Sequence, residues 1–163
     1  MRLFSVLGCL LFLAAPAYAD WEYKGGEDDY GPYALVTQTD KAGITELQFI
    51  CDGTSRGHIS LMLYSDVPFA EVDYPDSFPL TLTIDGRIER EVTAQVQDFE
   101  TEALIVSGSF DGPVLKGNLL TVLKAKSQIA ITYADKSFKY AAAGIGPAIG
   151  ELGTSCSSLG TEQ

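Results

Sequence analysis

Between residues 33 and 64 the chain alternates apolar and polar residues in three runs: YALVTQT (33–39), ITELQFIC (44–51) and HISLMLY (58–64). A period of two places every second side chain on one face of a strand, so each run can bury one face and wet the other. The joining stretches, TDKAG and DGTSRG, supply the Gly, Asp and Ser that turns require. Three successive antiparallel strands are therefore expected.

The rhythm breaks over residues 64–79, where Pro68, Pro75 and Pro79 leave room for only a short edge strand at 70–73. It resumes in LTLTIDGRIEREV, where Asp85-Gly86 between strand-like flanks predicts a two-residue hairpin of type I′. ALIVSGSF (103–110) is a further strand, and SQIAITYA pairs with KSFKYAAAG across Asp135 and Lys136. Upstream, Trp21 and Tyr23 alternate with charges, which predicts a short strand followed by a Gly-rich acidic loop over 24–32.

Two segments change period. In DGPVLKGNLLTVLKAKS the set Leu115, Leu119, Val122 and Leu123 shares a helical face, with Pro113 suited to the first turn and Lys124 and Lys126 to the last. In GPAIGELGTSC, Ile145, Ala148, Ile149, Leu152 and Cys156 share another, with Pro147 near its start. Gly150 and Gly153 weaken that second helix, so packing must hold it. The expected fold is a β-dominated α+β chain: an antiparallel β-sandwich with two short helices near the C-terminus and one disulfide.

The compartment follows from the first 19 residues. Met1-Arg2, an apolar run over 3–15 and the small-x-small triplet Ala17-Tyr18-Ala19 form a secretory signal pattern. The run is short for a membrane span, which needs about 20 residues. Val6-Leu7-Gly8-Cys9 offers a rival lipoprotein site, but the apolar segment before Cys9 is too short and continues beyond it. Cleavage after Ala19 is expected, leaving a single β-rich domain over 20–156 and a flexible tail at 157–163.

Loss of Arg2 leaves ten basic residues against 22 acidic ones, a net charge of −12. A field of that sign repels nucleic acid and anionic lipid and can steer a basic partner. No later segment is apolar enough to insert in a membrane. Loss of Cys9 leaves Cys51 and Cys156, an even count in an oxidising compartment, which predicts one disulfide. A redox or metal pair is the alternative, but C-x-x-C is missing and His58, the single histidine, cannot complete a zinc site.

Catalytic groups are scarce. A Ser-His-Asp site would have to use His58, and Ser107-Gly108-Ser109 lacks the G-x-S-x-G frame. Nucleotide-binding and metalloprotease motifs are missing, and no cofactor is expected. Glu71, Asp73 and Asp76 cluster in the proline-rich segment, where they could hold Ca²⁺, act as an acid/base pair, or form a solvated acidic loop. Tyr74 and Phe78 lie among them, so Asp73, Tyr74, Asp76 and Phe78 are the candidate partner contacts. Lys124, Lys126, Lys136 and Lys139 form the one basic concentration, read as solvated helix and hairpin faces.

Trp21 soon after the leader, a strand ending in Cys (LQFICDG), HISLMLY, the TLTIDGR hairpin, the Leu-rich LLTVLKAK and a Gly-then-helix segment ending at Cys156 form a pattern covering most of the mature chain. In this pattern the chain resembles small periplasmic bacterial proteins, including the invasion-associated locus B family and a type VI secretion-associated family. The resemblance implies a disulfide-stapled β-rich domain with an accessory or host-contact role, and it carries no catalytic residues across. The expected function is a secreted or periplasmic non-enzymatic binding or accessory protein of the bacterial envelope, whose partner is another protein, basic or not. The alternatives are an acidic inhibitor of a basic enzyme such as lysozyme, and a small hydrolase using paired carboxylates.

Overall fold

The structure, a computed structural model, describes residues 20–52, 59–68, 78–99, 102–107, 122–133 and 135–159. Nine strands and one helix are assigned there: β1 (Glu22–Asp28), β2 (Gly31–Thr39), β3 (Glu46–Asp52), β4 (Ser60–Pro68), β5 (Phe78–Ile84), β6 (Ile88–Phe99), β7 (Glu102–Ser107), β8 (Gln128–Tyr133), β9 (Lys136–Ala141) and α1 (Ile145–Leu159). The strand order is β1-β2-β3-β4-β7-β6-β5-β8-β9, and every neighbouring pair is antiparallel.

Two sheets share β6. Its first residues, 88–94, pair with β5, and 95–99 pair with β7. One long strand thus passes from the β5-β8-β9 sheet to the β1-β2-β3-β4-β7 sheet. Both sheets contribute to one core cluster: Val36, Leu47, Phe49, Leu61 and Leu63 from one, Leu80, Leu82, Ile84, Ile129, Ile131 and Tyr140 from the other. Burial alternates residue by residue along β3 and β8, as the sequence period requires.

The β5–β6 connection holds Asp85 (φ 52°) and Gly86 (φ 65°), and Arg87 N–H donates to the Ile84 carbonyl at 3.0 Å. Both central residues are left-handed, as the Asp-Gly signal requires. Pairing resumes at Ile84↔Ile88, so the connection is three residues rather than the predicted two.

The expected loop at 24–32 is instead a strand and a tight turn. β1 runs through Gly25 and Gly26 to Asp28, and β2 begins at Gly31. A methyl group on Gly25 would lie 2.8 Å from Tyr23 Oη, and one on Gly26 would lie 3.2 Å from Tyr33 Oη. Tyrosine side chains therefore lie beside both glycines of a strand that stays largely exposed. At the tip, Tyr30 N–H donates to Asp28 Oδ1 at 2.8 Å, and Gly31 (φ 112°) takes a backbone conformation closed to other residues.

Helix α1 packs on β2 and its neighbours β1 and β3. Ile145, Ala148, Ile149, Leu152 and Cys156 are all buried, as the helical spacing predicts. Cys156 joins Cys51 of β3 in a disulfide with Cα atoms 5.8 Å apart. Beyond that bridge the helix continues through Leu159, which packs against the core. The other predicted helix falls mostly on residues outside those described. Its end is a turn in which Ala125 N–H donates to the Val122 carbonyl at 3.0 Å, just before β8.

Candidate functional site

The β2–β3 loop is built around Asp40. Its backbone N–H donates to the Thr45 carbonyl at 2.8 Å, and its carbonyl accepts from Gly43 N–H at 3.0 Å. Its Oδ1 accepts from the N–H groups of Ile44 (2.8 Å) and Thr45 (3.2 Å), the local hydrogen bonding that suits Asp to turns. The Asp40 carboxylate is thereby turned onto its own loop.

A second carboxylate is held more tightly. Asp85 Oδ1 accepts from Ser127 N–H (2.8 Å), Ser127 Oγ–H (2.7 Å) and Gln128 N–H (2.9 Å), while Oδ2 accepts from Lys126 N–H (2.9 Å). Three successive backbone N–H groups form a concave anion seat, occupied here by the chain's own side chain. Backbone donation from Gln128, then the Ser127 hydroxyl and the N–H groups of Lys126 and Ser127, holds the Asp85 carboxyl far below the usual carboxylate range. The β5–β6 turn thus pins residues 126–128.

Tyr140 of β9 stands between these features. Its ring is buried, and its hydroxyl shares a 3.0 Å hydrogen bond with Thr45 Oγ1. Burial raises its phenol well above the ordinary value; the Thr45 bond opposes that rise, and the carboxylates of Asp40, Glu46 and Asp66 add to it. Tyr140 is a neutral hydroxyl that ties the β2–β3 loop to β9.

These ties place residues 38–43, 126–128, 139–141 and Ala143 around one open groove of about 920 Å³. Lys41, Lys126 and Lys139, all exposed, contribute to its lining from three separate segments. Among the described residues no carboxylate forms an ion pair with Lys126 or Lys139. Such a groove falls within the size range of small-molecule sites, roughly 300–1,000 Å³.

The sequence-derived candidates are distributed differently. Cys51 and Cys156 are joined. Glu71, Asp73, Tyr74 and Asp76 lie outside the described residues, as do His58, Gly108 and Ser109. Phe78 begins β5, its backbone paired with Ala94. Of the four lysines read as a basic concentration, the structure brings Lys126 and Lys139 to the groove and leaves Lys124 and Lys136 outside its lining. Lys41, which also lines the groove, gives no such signal in the sequence: it sits in TDKAG, 85 positions before Lys126. A lysine at a turn tip is the one local signal, and it does not say what the turn faces. No cluster of His, Cys, Asp or Glu among the described residues is arranged to hold a metal ion. Comparison with known proteins gives no match: no protein-family model, curated protein or solved structure aligns with this chain.

Proposed function

We propose that the mature chain is a non-enzymatic extracytoplasmic binding domain, an accessory protein of the bacterial envelope, that takes its ligand in the groove lined by Lys41, Lys126 and Lys139. The groove itself carries this reading. It is assembled from two regions far apart in sequence, the β2–β3 loop and the open end of the β8–β9 hairpin, and its walls are fixed by hydrogen bonds at Asp40, Asp85 and Tyr140. Walls held in place before binding reduce the ordering cost of association. The leader pattern and the Cys51–Cys156 bridge support an oxidising compartment. The two sheets are read as a sandwich hinged on their shared strand β6.

The test is hydrogen exchange on purified mature protein, with and without bacterial envelope extract. Protection confined to 38–43 and 126–143 supports the groove. Protection elsewhere only, or a turnover activity lost with one substitution, would overturn the reading.

One observation favours a second reading, inhibition of a basic enzyme. The β1–β2 hairpin presents Glu27, Asp28 and Asp29 beside Tyr30, which is 84% exposed. An aromatic ringed by acids suits a cationic protein surface. A lysozyme assay at low salt tests it; absence of inhibition at micromolar protein removes it.

A further inference from the structure

We infer that the groove binds a soluble phosphate-bearing small molecule, a conclusion that rests on the groove being the ligand site.

Charge is the first argument. The mature chain carries −12, yet three of its ten basic residues meet at this one groove. Two nearby acids are engaged by backbone donors: Asp40 by Ile44 and Thr45, Asp85 by residues 126–128. Their charges remain, but their oxygens are committed to the protein, whereas the ammonium groups of Lys126 and Lys139, which form no ion pair among the described residues, can turn toward a ligand.

The kind of cation is the second. All three are lysines, and no arginine lines the groove among the described residues. A guanidinium fork suits a planar carboxylate in bidentate geometry, whereas ammonium groups act as movable point charges suited to a tetrahedral phosphate. Size is the third. About 920 Å³ exceeds what a single phosphate fills, so the ligand has a body as well as a charge. Ala42, Gly43, Ala141 and Ala143 leave space for a compact neutral part. A lipid headgroup offers the same chemistry, but a chain of net charge −12 is repelled from an anionic bilayer, which favours the soluble source.

The experiment is a backbone amide NMR titration of the mature disulfide-bonded protein with inorganic pyrophosphate and with glucose 1-phosphate at matched ionic strength. Maltose serves as the neutral probe, and phosphatidylglycerol vesicles as the lipid arm. Expected are saturable shifts confined to 38–43, 126–128 and 139–143, and affinity at least tenfold weaker in K126Q/K139Q. K124Q/K136Q should bind as the parent does. Shifts that fail to saturate, or that fall equally in both double variants, overturn the inference. Saturation by maltose but not by either phosphate overturns the ligand class and leaves the groove standing. Stronger binding to vesicles than to the soluble phosphates overturns the assignment to a soluble ligand. Envelope protection mapped away from the groove defeats the underlying reading instead.

Discussion

The indole N–H of Trp21 donates to the carbonyl of Ala141 at 2.7 Å, joining positions 120 apart in sequence. Trp21 immediately precedes β1 and Ala141 ends β9, so one hydrogen bond links the opposite ends of the nine-strand order. The Trp21 ring is buried, 5.8 Å from that of Phe49. Trp21→Phe keeps an aromatic ring but deletes the donor, and should cost about 1–2 kcal/mol, the worth of a hydrogen bond plus an unmet acceptor. Trp21→Ala should cost about 3–5 kcal/mol by leaving a cavity. Urea denaturation gives both values, and a Trp21→Phe variant as stable as the parent would show that the hydrogen bond contributes nothing.

Asp85 makes an acid-pH prediction with a definite sign. Its native carboxyl ionises far below the unfolded value of about 3.9. The stabilisation is therefore fully present above that value, shrinks as pH falls below it, and disappears only when the native carboxyl protonates. Asp85→Asn should flatten the fall in stability as pH drops below about 4, and should speed amide exchange at 126–128. A carboxyl NMR signal for Asp85 that titrates near pH 4 would contradict this.

Tyr140 acts at the alkaline end. A phenol whose native pKa is raised favours folding below the unfolded value of about 10 and loses that contribution as pH rises through the native pKa. Ultraviolet titration should show tyrosines ionising after the exposed ones, Tyr64 among them because burial raises its phenol too, and Tyr140→Phe should reduce that late step by one group. At neutral pH the same substitution deletes the Thr45 bond and should cost about 0.5–1.5 kcal/mol. If all tyrosines ionise together in the folded protein, Tyr140 is not isolated from solvent.

The strands were legible wherever one face is buried by the strand's own side chains, as in Leu47-Phe49-Cys51 and Ile129-Ile131-Tyr133. Beyond Tyr23, β1 buries no side chain of its own and is held by its ladder to β2, with Tyr23 and Tyr33 beside Gly25 and Gly26, which a window over the glycines cannot register. The helix face was legible from its 3.6-residue period. Its continuation past Cys156 was not, since Ser157 reads as tail. In the structure the Ser157 hydroxyl donates to the Gly153 carbonyl at 2.8 Å, and Leu159 returns to the core. The groove was the least legible feature. Lys41 lines one groove with Lys126 and Lys139 because the β2–β3 loop is tied to β9 through Thr45–Tyr140, a tertiary contact no local window carries.

The Cys51–Cys156 bridge closes a separation of 105 residues and holds a helix that is weak by itself. Gly146, Gly150 and Gly153 each cost roughly 1 kcal/mol relative to Ala in a helix interior, less at the first turn where Gly146 lies. What retains α1 is its buried face, the bridge, and the 2.7 Å hydrogen bond shared by Ser155 Oγ and Tyr23 Oη. Reduction, or Cys156→Ser, should destabilise by about 2–5 kcal/mol. Residues 145–159 should then become the first protease site. Trp21 supplies an internal reporter, because a methyl on Gly144, just ahead of the helix, would lie 3.7 Å from the Trp21 backbone nitrogen. Release of α1 should therefore change Trp21 fluorescence before the sheets unfold. Thiol titration in denaturant without reductant should find no free thiol in mature protein. Two thiols there, or a reduced form as stable and protease-resistant as the oxidised one, would show that packing alone holds the helix.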